Sequence, residues 1–215
     1  GRNGVDAVQA AGAGRAARLS AAAGVAQMVH VSAIGADAEA ESDYARTKAE
    51  GEAAVLEHRP DAVILRPSII FGPEDNFFNR FAGMARLGPV LPLVGDATRF
   101  QPVYVDDVAQ AAEAGITGRA EPGVYELGGP EVATLRELID GMLEEIHRRR
   151  VVVGLPFWMA RIMAFFLDLG QALTGGLITN SVLTRDQVVL LRSDNVVSAG
   201  AKGLAELGIQ PTEME

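Results

Sequence analysis

The hydrophobic and polar positions in the first third of the chain switch between helical and strand spacing. Two stretches with apolar positions at helical spacing alternate with two short apolar runs that contain β-branched residues. Gly24 ends the first helical pattern, Ser42 is a plausible cap for the second, and Pro60 stops it. The predicted elements are a helix at 5–23, a strand at 28–31, a helix at 42–58 and a strand at 62–65.

The pattern loosens after Phe71, where proline and glycine punctuate the chain, and a second organised stretch follows. It predicts strands at 103–105 and 124–127, a helix that Asp106 caps without taking part in chemistry, and a helix at about 134–147. Helices that alternate with strands over short connections are typical of a parallel sheet covered by helices. The pattern therefore predicts an α/β fold.

Composition narrows the class of protein. The chain has 215 residues, 48% of them hydrophobic and 22% charged, which is enough for the core of about one domain. A formal net charge of -9 argues against binding to nucleic acid, because an acidic surface repels phosphates. With 0 cysteines and 3 scattered histidines, we expect no disulfide, no thiolate chemistry and no metal site.

One constellation of residues points to chemistry. Tyr44 and Lys48 stand four residues apart on the predicted helix 42–58, so both lie on one helix face. A cation beside a phenol favours the phenolate and lowers its pKa, as an acid–base tyrosine requires, although a chance pair on a surface helix is the alternative. Ser32 strengthens the first interpretation, since it follows a predicted strand at the edge where open α/β sheets place ligands.

Ser32, Tyr44 and Lys48 resemble the serine, tyrosine and lysine of the short-chain dehydrogenase/reductase superfamily. The resemblance implies that these residues are catalytic and also bind the cofactor. In that family the tyrosine exchanges a proton with the substrate oxygen while hydride passes to or from nicotinamide. The serine orients that oxygen, and the lysine binds the nicotinamide ribose and acidifies the tyrosine.

Two further segments resemble the extended branch of this superfamily. The string LRPSIIFGP at 65–73 is similar to the strand and loop whose backbone lines the nicotinamide, so the resemblance adds Pro67, Ser68, Ile69 and Ile70 to the cofactor site. The string QPVYVDDVA at 101–109 is similar to a later strand–helix signature of that branch.

The resemblance covers essentially the whole chain and implies its architecture. We expect the C-terminal part of a Rossmann-type doubly wound parallel sheet, followed by a smaller, mostly helical C-terminal subdomain. The glycine-rich loop that holds a pyrophosphate does not occur in the 215 residues, so we expect that loop and the first strands to lie upstream.

Two functional parts follow from this architecture. Residues 1–118 would form an incomplete NAD(P)-binding domain, with 73–100 contributing to the substrate-side lobe, and 119–215 would form a substrate or partner subdomain. The segment 151–178 is rich in aromatic and apolar residues, but its apolar stretches are too short to span a bilayer. It is interpreted as an interfacial or partner-binding segment, or as part of the subdomain's own core.

Three strings resemble one subgroup, the dehydrogenase-like accessory subunit of respiratory complex I and its bacterial relatives. They are FGPEDNFFNRF at 71–81, LTRDQV at 183–188 and LGIQPT at 207–212. That subgroup binds NADPH without established turnover. The resemblance implies an accessory subunit of a membrane-bound NADH:quinone oxidoreductase with a structural nucleotide, NADP(H) being favoured over NAD(H).

The same resemblance implies partners and a location. Complex I core subunits would be its partners, with possible membrane-surface contact through 151–178. It would lie peripherally on the cytoplasmic side of a bacterial inner membrane or on the mitochondrial matrix side. The alternative function is that of a soluble NAD(P)-dependent oxidoreductase, or a sugar-nucleotide-type epimerase or dehydratase, that uses Ser32, Tyr44 and Lys48 in catalysis.

Overall fold

The computed structural model describes residues 7–162 and 184–214. The helices are a π-helical turn Ala7–Gly12, α1 (Ala13–Ala22), α2 (Asp43–His58), α3 (Phe78–Met84), α4 (Val105–Ile116), α5 (Leu135–Glu145), α6 (Arg185–Leu190) and a 3-10 turn Ala205–Leu207. The strands are β1 (Val29–Val31), β2 (Val63–Pro67), β3 (Ile70–Phe71), β4 (Val90–Val94), β5 (Arg99–Phe100), β6 (Val103–Tyr104), β7 (Gly123–Leu127), β8 (Ala133–Thr134) and β9 (Val151–Leu155). Residues 157–162 are also helical.

The helix ends show where local sequence chemistry is sufficient and where it is not. The Ser42 hydroxyl accepts a hydrogen bond from the Ala45 amide at 3.2 Å, as predicted for a cap of α2. The predicted cap at Asp106 is wrong, because α4 begins one residue earlier and Asp106 stands inside its first turn. Its neighbour Asp107 is buried and accepts hydrogen bonds from the backbone and the hydroxyl of Thr212.

The chain forms two compact units that interleave along the sequence. The first unit comprises Gly1–Pro73, Gln101–Val132 and Asn195–Glu215, and the second comprises Glu74–Phe100 and Ala133–Asp194. The sequence-based division placed a single boundary after residue 118. Which part binds a nucleotide and which part binds a substrate or partner stays a prediction.

A parallel sheet lies at the centre of the first unit, with strand order β1-β2-β7. Successive side chains of a strand point to opposite faces, so Ile64 enters a cluster with Ala17 of α1 and Val55 of α2. Leu65 enters the opposite cluster with Val108 of α4. Helices therefore cover both faces, as in a doubly wound sheet. Among the described residues β1 pairs with no strand other than β2.

The second unit contains two small sheets and short helices. Strands β4 and β9 pair in parallel, and β5 pairs with β8 in antiparallel fashion. Thr134 and Glu137 form a capping box at the start of α5, within the helix predicted at 134–147. Strand β9 occupies the first residues of the aromatic segment 151–178, and residues 163–178 lie outside the described residues. No helix in the described part of the chain is long and apolar enough to cross a membrane.

Close packing of α4 on the sheet depends on Gly115. A Cβ atom there would lie 2.4 Å from Cγ2 of Val29 and 3.4 Å from Cβ of Val63. We expect Gly115→Ala to reduce the free energy of unfolding by about 1–3 kcal/mol, because the added methyl overpacks the core. Urea unfolding measures this change.

Gly141 in α5 is the matched control, since a Cβ atom there would meet nothing within 4 Å. Gly141→Ala should raise stability by roughly 0.5–1 kcal/mol through helix propensity alone. A Gly115→Ala protein as stable as the Gly141→Ala protein would contradict the packing argument.

Candidate functional site

Ser32 stands directly after β1, at the carboxyl end of the parallel sheet. Its amide donates to the Leu65 carbonyl at 2.7 Å, so the residue continues the pairing of β1 with β2. The side chain is 3% exposed, and its hydroxyl has no hydrogen-bond partner among the described residues. Leaving a buried polar group unsatisfied costs about 1–3 kcal/mol. A ligand oxygen at this position would remove that cost.

Helix α2 brings Lys48 and Tyr44 to the same end of β1. The Lys48 ammonium lies 5.6 Å from the centroid of the Tyr44 ring, within the range of a cation–π contact. The same ammonium donates to the carbonyl of Val31 at 3.4 Å, and Val31 immediately precedes Ser32. The structure thus gathers Ser32, Tyr44 and Lys48 around one strand end, as the sequence pattern predicted.

The protonation of this pair differs from the expectation. Burial raises the pKa of the Tyr44 phenol, whereas the sequence argument had Lys48 lower it. The physical reason is that the ammonium lies over the ring. Burial also lowers the pKa of Lys48, and the carboxylate of Glu52 opposes that shift. Tyr44 is therefore a hydroxyl donor at neutral pH.

The segment 67–70 is held by its backbone. The Pro67 carbonyl accepts from the Ile34 amide at 3.1 Å, and the Ile69 carbonyl accepts from the Val103 amide at 2.9 Å. Ile70 pairs with Val103 across β3 and β6. Strand β2 continues through Pro67, beyond the predicted end at residue 65. Cofactor binding by Pro67, Ser68, Ile69 and Ile70 stays a prediction.

Asn195 is a residue of this region that the sequence analysis missed. The Ser68 hydroxyl donates to the Asn195 side-chain oxygen at 2.6 Å, so this hydroxyl already has a protein partner. The Asn195 amide nitrogen donates to the Ile34 carbonyl at 3.5 Å, which ties together the loops after β1 and β2. Ser68 and Asn195 are 127 residues apart, and no local pattern connects them.

A row of polar residues crosses the sheet beneath α2. Arg66 of β2 is opposite Glu126 of β7, and the amide of Ser32 follows the same register on β1. Arg66 binds Glu52 of α2 through two parallel hydrogen bonds of 2.8 and 2.6 Å, and its third nitrogen lies 3.8 Å from Glu126. Glu126 also accepts from the Ser198 amide at 2.7 Å. A charge within an apolar strand, as in VILRP and VYEL, was the available sequence signal.

His30 lies on the same sheet face as Ser32, two residues earlier on β1. Its Nε2 atom is buried and has no hydrogen-bond partner in the part of the chain that the structure covers. Burial lowers the pKa of His30, Lys48 lowers it further, and Glu52 opposes both effects. The imidazole is therefore neutral at neutral pH.

Comparison with known proteins places this geometry in a family. A family model described as the RmlD substrate binding domain matches residues 4–154. The solved structure of DesIV, a dTDP-glucose 4,6-dehydratase from Streptomyces venezuelae with NAD and TYD bound, superposes with a TM-score of 0.61 and 23% identity. That match covers 73% of this chain and 55% of the other. The predicted α/β fold of Rossmann type is confirmed.

Curated relatives are more similar in sequence. The chain is 35% identical over 196 residues to the mitochondrial NADH dehydrogenase [ubiquinone] 1 alpha subcomplex subunit 9 of Arabidopsis thaliana, covering 89% of this chain and 49% of the relative. It is 34% identical over 206 residues to the protein of the same name from Rattus norvegicus, covering 93% and 52%. The chain thus spans about half the length of these relatives.

The buried His30 imidazole predicts a pH dependence of stability. Its pKa in the folded protein is below its unfolded value, so the unfolded state binds more protons in mildly acidic solution. The contribution of His30 is fully present above about pH 6.5 and is lost as pH falls through the lowered folded pKa. Unfolding free energies measured between about pH 7.5 and pH 5 should fall less steeply for His30→Gln than for wild type. Equal slopes would show that His30 is not a buried neutral group.

Proposed function

Because this chain belongs to the family of the RmlD substrate binding domain, we propose that it binds a nicotinamide dinucleotide through Ser32, Tyr44 and Lys48 as an accessory subunit of a membrane-bound NADH:quinone oxidoreductase. The predicted relationship to extended short-chain dehydrogenase/reductases is confirmed by the family match and by the similarity to the NADH dehydrogenase subunits.

The observation that carries nucleotide binding is the buried Ser32 hydroxyl without a partner beside the Lys48 ammonium. A ribose has hydroxyl groups that an ammonium can bind, and a carboxamide or a substrate oxygen can accept from a serine or tyrosine hydroxyl. These groups fit the nicotinamide end of a dinucleotide. When bound, the cofactor supplies hydride chemistry, while Lys48 holds the ribose, Ser32 orients an oxygen and Tyr44 donates to it.

The choice between the two dinucleotides is part of the proposal. We favour NADP(H) over NAD(H) because the strings at 71–81, 183–188 and 207–212 resemble the NADPH-binding accessory subunits. The neighbour DesIV was solved with NAD, so the fold is compatible with either dinucleotide.

The assembly part of the proposal is supported by the curated relatives. Proteins from a plant and a mammal that carry the name of an NADH dehydrogenase subunit are similar to this chain over 89% and 93% of its length. Its partners would be the core subunits of respiratory complex I. The location would be peripheral, on the cytoplasmic side of a bacterial inner membrane or on the mitochondrial matrix side.

One observation favours a second function. Ser32, Tyr44 and Lys48 are all present at one strand end, and a protonated Tyr44 is able to donate a proton. This arrangement suits a soluble NAD(P)-dependent oxidoreductase or a sugar-nucleotide epimerase or dehydratase. Holding a nucleotide and turning over a substrate need the same three residues, so only experiment separates them.

Nucleotide binding predicts that Lys48→Met in the full-length protein reduces the nucleotide that survives purification. The variant loses charge-assisted hydrogen bonds, which are worth about 1.5–3 kcal/mol, or roughly tenfold or more in affinity. Nucleotide released by acid is quantified by absorbance and chromatography.

Lys202→Met is the matched control. The Lys202 ammonium lies 5.6 Å from the centroid of the Tyr125 ring, the same distance as in the Lys48–Tyr44 pair, and it pairs with exposed Glu121. Its replacement should leave nucleotide content at the wild-type level. Equal losses in both variants, or none in Lys48→Met, would remove Lys48 from the site.

Tyr44→Phe separates holding from turnover. In a structural subunit the hydroxyl is one contact among several, and its loss should cost about 1–2 kcal/mol of nucleotide binding. NADH oxidation in membranes and assembly of the complex should remain normal. In an enzyme the same change should reduce turnover roughly a hundredfold or more, because the proton donor is lost.

The variant is introduced into the organism, and respiration is measured together with growth on defined media. Normal respiration combined with a specific metabolic block would overturn the subunit proposal and favour the enzyme.

A further inference from the structure

We propose that Glu52, held by Arg66, is a positioning residue for Lys48. The inference deepens the proposed nucleotide site and concerns how that site is kept in place. Glu52 lies one helical turn after Lys48 on α2, and Lys48 lies one turn after Tyr44, so the three side chains share one face of the helix.

Arg66 fixes this face to the sheet. The fork of two hydrogen bonds between Arg66 and Glu52 permits only a narrow range of orientations, unlike a single ammonium contact. Glu52 is buried, and Arg66 belongs to the central strand of β1-β2-β7, which neighbours hold on both sides. The pair therefore sets the rotation of α2 about its axis and with it the height of Lys48 above the end of β1.

The charges around Lys48 balance only when Glu52 is present. The groups that face Lys48 or its carboxylate neighbour are Tyr44 and Glu52 on α2, His30 on β1, Arg66 on β2 and Glu126 on β7. With His30 and Tyr44 neutral, two cations oppose two carboxylates. Without Glu52, two cations would face a single carboxylate, and the half-buried ammonium of Lys48 would lose its proton more readily.

A second ion pair on the same helix provides a matched control. Arg59, just after α2, binds Asp61 through bonds of 2.8 and 2.7 Å, a fork of the same kind at the end remote from Tyr44. Asp61→Asn removes a carboxylate from such a fork without changing the charges near Lys48. Any general loosening of α2 should appear in both variants, whereas positioning of Lys48 should be lost in Glu52→Gln alone.

Lys48 can be observed directly because the chain has only one other lysine, Lys202. Reductive methylation of the full-length protein with ¹³C-formaldehyde labels lysines for NMR, and Lys48→Arg and Lys202→Arg assign the two resonances. Titration should show a lower pKa for Lys48 in Glu52→Gln than in wild type, with the Lys202 titration unchanged. Asp61→Asn should titrate as wild type at both lysines.

The outcomes decide the inference separately from the proposed function. An unchanged Lys48 pKa in Glu52→Gln, or an equal fall in Asp61→Asn, would overturn it. If Glu52→Gln does not fold, Glu52→Asp replaces it and should shift the Lys48 pKa in the same direction by less, and no shift would again overturn the inference.

Binding of NADPH, followed by its fluorescence, should be about tenfold weaker in Glu52→Gln and should fail at lower alkaline pH than in wild type. Absence of nucleotide binding by wild type would refute the proposed function, while the lysine titration would still decide the role of Glu52.

Discussion

The guanidinium of Arg66 is the charge around which the first unit is arranged. It belongs to the central strand of the sheet, where a charge must be paired to be tolerated. Two carboxylates meet it from opposite directions in sequence, Glu52 from the preceding helix and Glu126 from a strand that follows 60 residues later in the chain. Removing one partner of a buried pair typically costs about 3–5 kcal/mol. The sheet, α2 and the segment that begins near Ser198 therefore share one electrostatic constraint.

This constraint explains why the site stands where it does. The sheet face under α2 is apolar in the row of Ile64 and Val124 and becomes polar one row later, at Arg66 and Glu126. Apolar packing holds the helix, and the ion pair selects its rotation, because hydrophobic contact alone is not directional. Ser32 and Lys48 lie at that polar end. The loops beyond it are tied by Asn195, so the end of the chain contributes to a site whose recognisable residues all lie near its start.

The sequence predicts what depends on neighbouring residues. The Ser42 cap, the helix–strand alternation and the gathering of Ser32, Tyr44 and Lys48 all follow from spacing and from the direction of parallel strands. It does not predict the Asn195 bridge or the Arg66–Glu126 pair, since those contacts depend on where distant strands meet. The error at Asp106 has a similar origin: an acidic residue at a helix start suits several positions of the first turn, and burial of Asp107 against Thr212 selected the register.

The pKa of Tyr44 shows the same limit in electrostatic form. Spacing places Lys48 on the same helix face as the phenol, but a shift in pKa depends on which atoms meet and on how much water each has lost. Here the ammonium lies over the ring, and burial raises the phenol pKa while lowering that of the ammonium. Both groups are thus shifted away from their charged forms, and a bound polar ligand would favour the charge of Lys48 again. A site of this kind is well suited to hold a nucleotide, because binding relieves the desolvation that the empty fold imposes on Lys48 and on the hydroxyl of Ser32. Turnover would require an additional step, in which a substrate brings an oxygen close enough to Tyr44 to take its proton.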